Sequence, residues 1–244
     1  MKAMIFAAGL GTRLKPITDS IPKALVEING KPLLYYAIMS LKNAGITSII
    51  INTHHFSQQI ISYINSTNFG LTIEISDETE ELLNTGGGLV KAKHFLNGNE
   101  PFLVYNVDII SDIDIKDMLE YHNTTKALVT LAVMKRSTSR YFLFDNSLML
   151  FGWINKKDGT ERVSRFSNEY NEFAFSGIQI IDPKLFSLVK RNGSFSIVDV
   201  YLELAKEYTI KGYDHTNTKW CDLGKHNELE TAGKLITEIF KDKL

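Results

Sequence analysis

A single cysteine, Cys221, stands among the 244 residues. It excludes an internal disulfide framework and any multi-cysteine zinc site, and it suits a reducing cytosol. Neither sign of charge is in excess: 27 Lys and Arg against 28 Asp and Glu leave a formal net charge of -1. No global field therefore draws the chain to nucleic acid or to anionic lipid, and any phosphate chemistry must be local. The apolar opening Met1 to Ala8 stops at Gly9, short of a signal h-region with a cleavage site and far short of a membrane span. A cytoplasmic protein with neither a membrane nor a nucleic acid as partner is expected. No internal repeat, low-complexity tract or linker interrupts the chain, so residues 1–244 read as one unit with a soft internal boundary near 125. Nothing in the pattern fixes an oligomeric state. A Ser-His-Asp or Cys-His set is absent as well. His54 and His55 are adjacent and face different ways, the other histidines are scattered, and none is given chemistry.

What is present is an alternation of short β-rich runs with longer stretches of helical spacing, the pattern of an α/β protein with a mixed, mostly parallel sheet. Ala3 to Ala8 reads as a buried strand, and Leu33, Leu34, Ala37, Ile38 and Leu41 line one face of a helix ending before Gly45. Strands are predicted at 48–52, 71–75 and 102–105, with helices at about 57–65 and 87–96. From Lys126 the texture changes to an antiparallel excursion, with strands at 127–133, 141–145, 148–154 and 173–181. Helices near 183–190, 197–207 and 225–242 complete the reading.

Between the first strand and first helix lies Gly9-Leu10-Gly11-Thr12-Arg13-Leu14-Lys15-Pro16, then Ile21-Pro22-Lys23. Two glycines after a strand let backbone N–H groups approach a ligand, and Arg13 and Lys23 bring positive charge to the same edge, so a polyphosphate is the natural guest. The competing reading is a tight turn with solvated cations. A Rossmann fingerprint fails because Leu14 stands where a third small residue is needed and about twenty residues precede the helix. No Gly-x-x-x-x-Gly-Lys-Ser/Thr run exists, which disfavours a Walker-type NTPase.

Ala7-Ala8-Gly9-Leu10-Gly11-Thr12-Arg13 through Pro16 to Pro22-Lys23 resembles the signature of the sugar-1-phosphate nucleotidyltransferases. The resemblance continues through Lys31-Pro32-Leu33, Thr85-Gly86-Gly87-Gly88, Asp108, Phe175-Ser176-Gly177-Ile178 and Trp220-Cys221-Asp222-Leu223-Gly224. It implies a Rossmann-like three-layer sandwich of the nucleotide-diphospho-sugar transferase type, with residues 1–125 mainly binding nucleotide and 126–244 mainly binding sugar. It also implies an enzyme that makes an NDP-sugar and pyrophosphate from an NTP and a sugar 1-phosphate. In that family Asp108 and Asp222 hold Mg²⁺, which needs few protein carboxylates because phosphate oxygens and waters complete its shell. By the same resemblance Arg13 and Lys23 are catalytic, and Ala7, Ala8, Gly9, Gly11, Thr12, Arg13, Thr85, Gly86 and Gly87 bind nucleotide. Asn106, Arg140, Ser176 and Gly177 bind sugar.

Asp112-Ile113-Asp114 offers a rival metal motif of glycosyltransferase type, but an aspartate there is better read as the N-cap of the helix through Met118. Cys221 reads as a filler beside Asp222. Departures from the family are Val107 and Phe142 in place of glycines and Ser167-Asn168-Glu169-Tyr170 in place of a Glu-Lys-Pro segment, whose lysine Lys156 or Lys157 would have to replace. The triple glycine resembles the uridylyltransferases that activate N-acetylmuramic acid 1-phosphate, which favours UTP. Asn52-Thr53-His54 resembles the mannose-1-phosphate guanylyltransferases, which keeps GTP open. A catalytically silent nucleotide-sugar regulator and a phosphocholine cytidylyltransferase are the other readings. The first expects loss of Arg13, Lys23 or an aspartate, and the second lacks the Ser176-Gly177 segment.

Overall fold

Alternating side chains on the strands decide how the layers form. In the first strand Met4 belongs to one apolar cluster and Ala3 and Ile5 to another on the opposite face, the period-two pattern of a sheet covered on both sides. A computed structural model describes residues 1–166, 169–224 and 226–241. Ser167-Asn168 and the two end positions expected for the last helix, 225 and 242, lie outside the described residues.

The strands are β1 (Ala3–Phe6), β2 (Glu27–Ile28), β3 (Lys31–Pro32), β4 (Ser48–Thr53), β5 (Thr72–Asp77), β6 (Phe102–Asn106), β7 (Ile109–Ser111), β8 (Val129–Met134), β9 (Arg140–Phe144), β10 (Leu150–Asn155), β11 (Thr160–Val163), β12 (Asn171–Ile181), β13 (Ile210–Asp214) and β14 (Trp220–Asp222). The helices are α1 (Leu33–Asn43), α2 (Ser57–Ser66), α3 (Asn84–Lys91), α4 (Lys93–Leu96), α5 (Ile115–Thr125), α6 (Leu185–Leu188), α7 (Ile197–Leu204) and α8 (His226–Phe240). The predicted face of α1 is fully buried, from Leu33 to Leu41. The stretch expected to be a helix at 87–96 begins earlier, at Asn84, and breaks at Ala92.

The main sheet runs β11-β10-β9-β12-β6-β1-β4-β5, with β8 on β12 and β13 on β8. Relative to β1 only β12 and β10 run the other way, so the sheet is mixed and mostly parallel. Helices α3 and α7 cover one face through Leu89, Val200 and Tyr201, and α1 and α5 cover the other through Leu34, Ile38 and Met118. That is the expected three-layer sandwich. A third apolar cluster joins Leu14, Val26, Tyr36, Ile110 and Leu223 to Ile236 and Phe240 of α8, so α8 clamps the loop after β1 against β7 and β14. No helix among the described residues is long and apolar enough to cross a membrane.

Chain order creates a crevice. From β1 the sheet grows through β4 and β5 on one side, whereas β6 is added on the other. Ligands of open α/β sheets sit at such a switch point, beyond the carboxyl ends of the parallel strands. Here those ends release Ala7-Ala8-Gly9 after β1 and Val107-Asp108 after β6.

Candidate active site

A cavity of about 380 Å³ opens at this switch point, with Ala7, Gly9, Lys23, Thr85, Asn106 and Asp108 among the groups on its wall. The loop after β1 is built from three short 3₁₀ turns, Thr12–Leu14, Ile17–Asp19 and Lys23–Leu25. Leu14 is fully buried and anchors the loop in the cluster under α8, leaving Thr12 and Arg13 exposed. Gly11 has φ +64°, and a Cβ there would meet Thr18 at 2.9 Å and the Lys23 Cβ at 3.0 Å. Only glycine lets the loop turn this tightly against Lys23.

Lys23 Nζ donates to Asp108 Oδ2, and both side chains are largely buried. Asp222 is on the neighbouring element: β14 pairs antiparallel with β7, Asp222 opposite Ile109, and the Leu223 N–H donates to the Asp108 carbonyl at 2.8 Å. The two aspartates, more than a hundred positions apart in sequence, thus share one small ladder. A Cβ on Gly224 would lie 2.7 Å from Arg13 Nη2 and 2.8 Å from Asp222 Oδ1. Glycine at 224 therefore gives the Arg13 guanidinium its place beside the second carboxylate. The structure brings Arg13, Lys23, Asp108 and Asp222 together, although Arg13 and Asp222 are not part of the cavity wall.

Asp108 and Asp222 are hard oxygen donors of the kind Mg²⁺ takes, in the small number it needs when a polyphosphate supplies further oxygens. Among the described residues no group of three His, Cys, Asp or Glu side chains forms a self-sufficient metal cage. The rival Asp112-Ile113-Asp114 motif is otherwise engaged. Asp114 caps α5, its Oδ1 accepting from the Lys116 and Asp117 N–H groups, and Asp112 accepts from the Lys219 N–H at 2.8 Å.

Several expected contacts take a different form. The Ala7 N–H is used inside the protein, donating to Asn52 Oδ1 at 2.8 Å. The triple glycine is no open loop ahead of a helix: it forms the first turns of α3 and is buried. A Cβ on Gly86 would meet the Phe195 ring at 2.3 Å, one on Gly87 the Gly193 carbonyl at 2.2 Å, and one on Gly88 Glu78 Oε1 at 2.6 Å. Gly86 and Gly87 are small because the 193–195 segment lies against the helix, and Thr85 alone of the expected trio faces the cavity. Its Oγ1 also accepts from the Ile197 N–H at 3.0 Å.

On the sugar side, Asn106 ends β6 and lines the cavity, while Gly177, φ +77°, closes on it so tightly that a Cβ would lie 2.9 Å from Asn106 Nδ2. Ser176 does not face the cavity. It is completely buried, and its Oγ meets His215 Nε2 at 2.6 Å. Arg140 is exposed at the start of β9, two strands away from β6 across β12, and does not line the cavity. Lys156 is committed to Glu172, and neither it nor Lys157 lines the cavity. The side chains at the two departed glycine positions are accommodated in the core, Val107 while also lining the cavity. Val107 joins the apolar cluster on the α1 face, and Phe142 is core, edge-on to Phe144 and Phe175.

Two residues that the sequence reading passed over stand out. Glu78 lies on the cavity wall yet is almost wholly buried, accepting from Asn52 Nδ2 at 2.8 Å and the Leu83 N–H at 3.2 Å. Burial pushes its carboxyl up, against the pull of those hydrogen bonds. It hides in the acidic run Asp77-Glu78-Thr79-Glu80-Glu81, which reads as a solvated face. His215 is the other, a buried imidazole whose pKa is held down to about 4 by desolvation.

Comparison with known proteins identifies the family and the fold. N-acetylmuramate alpha-1-phosphate uridylyltransferase of Neisseria meningitidis is 32% identical over 96% of this chain and 98% of that protein. Mannose-1-phosphate guanyltransferase of Yarrowia lipolytica is 30% identical over 92% of this chain, which spans 61% of that longer protein. A solved structure of a putative glucose-1-phosphate thymidylyltransferase from Bacillus anthracis superimposes with a TM-score of 0.79 at 24% identity, covering 96% of this chain and 94% of that one, so the fold is that of the nucleotide-diphospho-sugar transferases. Residues 2–239 match the family model described as Nucleotidyl transferase, and the chain belongs to that family.

Proposed function

We propose that the chain transfers the uridylyl group of UTP to N-acetylmuramic acid 1-phosphate and releases pyrophosphate, in the cytoplasm and with Mg²⁺ on Asp108 and Asp222. The observation that carries this reading is the convergence of the β1 glycine loop, Lys23 and Asp108 on one crevice, with Arg13 and Asp222 beside it. A sugar 1-phosphate is already an anionic oxygen nucleophile. Its oxygen forms the new bond to the α-phosphorus as the bond to the β-phosphate oxygen breaks, and that electron pair leaves with pyrophosphate. No protein nucleophile or strong base is required.

The protein's task is to hold two polyanions together. Lys23, at the cavity wall, neutralises charge at the α-phosphate or the sugar phosphate, and Arg13 serves the β- and γ-phosphates. The amides from Gly9 to Thr12 wrap the triphosphate, while Asn106 and the Gly177 turn border the sugar phosphate. Mg²⁺ when bound supplies further neutralisation and orients the phosphates.

Whole-length correspondence with the uridylyltransferase favours UTP and N-acetylmuramic acid 1-phosphate over the longer guanylyltransferase. The second reading, GTP with mannose 1-phosphate, rests on nearly equal identity to that relative. Pyrophosphate release across UTP, GTP, dTTP and CTP with a panel of sugar 1-phosphates, with and without EDTA, separates them. Greatest turnover is expected with the uridylyl pair and none with EDTA. Preference for GTP and mannose 1-phosphate selects the second reading, and silence with every pair returns the chain to a regulatory binder.

A further inference from the structure

Strand β12 is irregular where it passes the active site. Its pairing with β8 slips between Phe175 and Gln179, partners of Val133 and Leu131, so Ser176, Gly177 and Ile178 bulge. A bulge leaves ladder groups unpaired and must be held by other means. This one lies against the end of β6, since a Cβ on Gly177 would meet Ile109 at 2.7 Å and Asn106 at 2.9 Å. Those residues flank Asp108.

The means of holding it are side chains. Arg136 Nη2 donates to the Phe175 carbonyl at 2.9 Å, and its guanidinium stacks 4.3 Å from the centre of the Trp220 ring. Trp220 Nε1 donates to the Ser176 carbonyl at 2.9 Å. The Ser176 hydroxyl meets His215 Nε2 at 2.6 Å, and His215 Nδ1 meets Thr218 Oγ1 at 2.7 Å. The His215 backbone N–H also donates to the Val133 carbonyl at 3.0 Å, and the Thr218 N–H donates to the His215 carbonyl at 2.9 Å. One imidazole, 4% exposed, therefore ties the bulge of β12 to the turn that leads directly into β14, the strand carrying Asp222.

We propose that His215 is a positioning residue: through Ser176 and Thr218 it fixes the β12 bulge and the β14 carboxylate relative to Asn106 and Asp108. The inference rests on the nucleotidyl-transfer reading above, for which the spacing of these groups is what the protein contributes. His215 is not part of the cavity wall. Its neutral imidazole acts as a rigid spacer with a hydrogen bond at each end, which a flexible polar side chain cannot replace at both.

The two ring nitrogens make the test selective. A glutamine amide reaches the place of Nε2, and an asparagine amide that of Nδ1. With the substrate pair that supports turnover, His215→Gln keeps the Ser176 link and gives up the Thr218 one, and because the β7–β14 ladder still holds that side it is expected to lose only about three- to fivefold of kcat, whereas His215→Asn frees the bulge itself and loses about 10- to 100-fold. The KM for NTP is expected to stay within about twofold in both, because the β1 loop is untouched. Ser176→Ala, which deletes one hydroxyl, should reproduce the His215→Asn loss and add nothing to it in the double variant. Should His215→Asn fail to fold, Ser176→Ala decides by its own kcat, wild-type turnover overturning the inference. Equal losses in the Gln and Asn variants, an additive double variant, or an NTP KM that rises in step with the kcat loss would also overturn it. A wild-type chain inactive with every pair removes the reaction assignment and the positioning role together, whereas an active wild type with any of the preceding results removes the positioning role alone.

Discussion

Replacing Lys23 with methionine tests the centre of the site, because the ion pair with Asp108 is shielded from water. The two side chains are 10% and 15% exposed, so methionine keeps the stem's packing and deletes only the charge. Removing one partner of a buried pair costs about 3–5 kcal/mol, most of it from the stranded charge. The remaining exposure of Asp108 puts Lys23→Met at the lower end, about 3 kcal/mol. Asp108→Asn in the same background removes the stranded charge, so the double variant should be more stable than the two single losses predict, by about 2 kcal/mol. Urea unfolding at pH 7 measures all four members of the cycle. Raising the salt should leave the coupling nearly intact, since screening acts weakly on a pair held away from solvent. Mg²⁺ should raise the unfolding midpoint of Lys23→Met and leave the double variant unmoved, as a divalent ion can take over the orphaned carboxylate. Turnover of the folded Lys23→Met protein should fall by about 10²- to 10³-fold, the scale of removing one donor from a developing anion. Additivity within about 0.5 kcal/mol would refute the shielded pair.

Gly87→Ala would gain about 1 kcal/mol of helix propensity if α3 were free, but its Cβ would fall 2.2 Å from the Gly193 carbonyl, and overpacking of about 1–3 kcal/mol outweighs the gain. Urea midpoints should drop for this variant and stay level for Gly98→Ala, whose Cβ would meet nothing within 4 Å; a stabilised Gly87→Ala would mean an open loop. Burial holds His122 and His215 down to about 4, below their ordinary 6.5, so the unfolded chain binds more protons across this window. Their contribution is complete above pH 6.5 and is lost as pH falls towards 4, about 2 kcal/mol each between pH 7 and pH 5. His122→Gln should remove about half of that slope in the urea midpoint, and an unchanged slope would count against the buried neutral imidazole.

The phosphate end of the site was legible because it is local. A buried run from Ala3, two glycines and two cations within one short loop define a strand end and a cationic loop with no help from distant residues, and the structure puts Lys23 and Gly9 on the cavity wall. Where partners come from far away the pattern falls silent. The three-residue strands β7 and β14 have no signal of their own and exist because each supplies the other's hydrogen bonds. The pairing of Asp108 with Asp222 was therefore visible only through family resemblance. The same resemblance led to Thr85, Gly86 and Gly87 as nucleotide-binding residues, of which the structure puts Thr85 on the cavity wall and the two glycines inside α3.

Glycine's low helix propensity argues for a loop at Gly86-Gly87-Gly88, but three separate neighbours, Phe195, Gly193 and Glu78, leave no volume for any Cβ. Packing and not backbone freedom explains the triplet. That adds to what the motif reports: it records how closely the 193–195 segment and Glu78 approach α3, and so the shape of the cavity's far wall. The same logic applies to Ser176, whose hydroxyl is spent on His215, leaving Gly177 as the member of the pair that meets Asn106 at the cavity. Both motifs act on the site by setting the distance between elements, so their substitution should alter geometry before it alters ligand contacts. The side chains to vary first when substrate preference is tested are those that line the cavity on the α3 side, Thr85, Asn84 and Ser194.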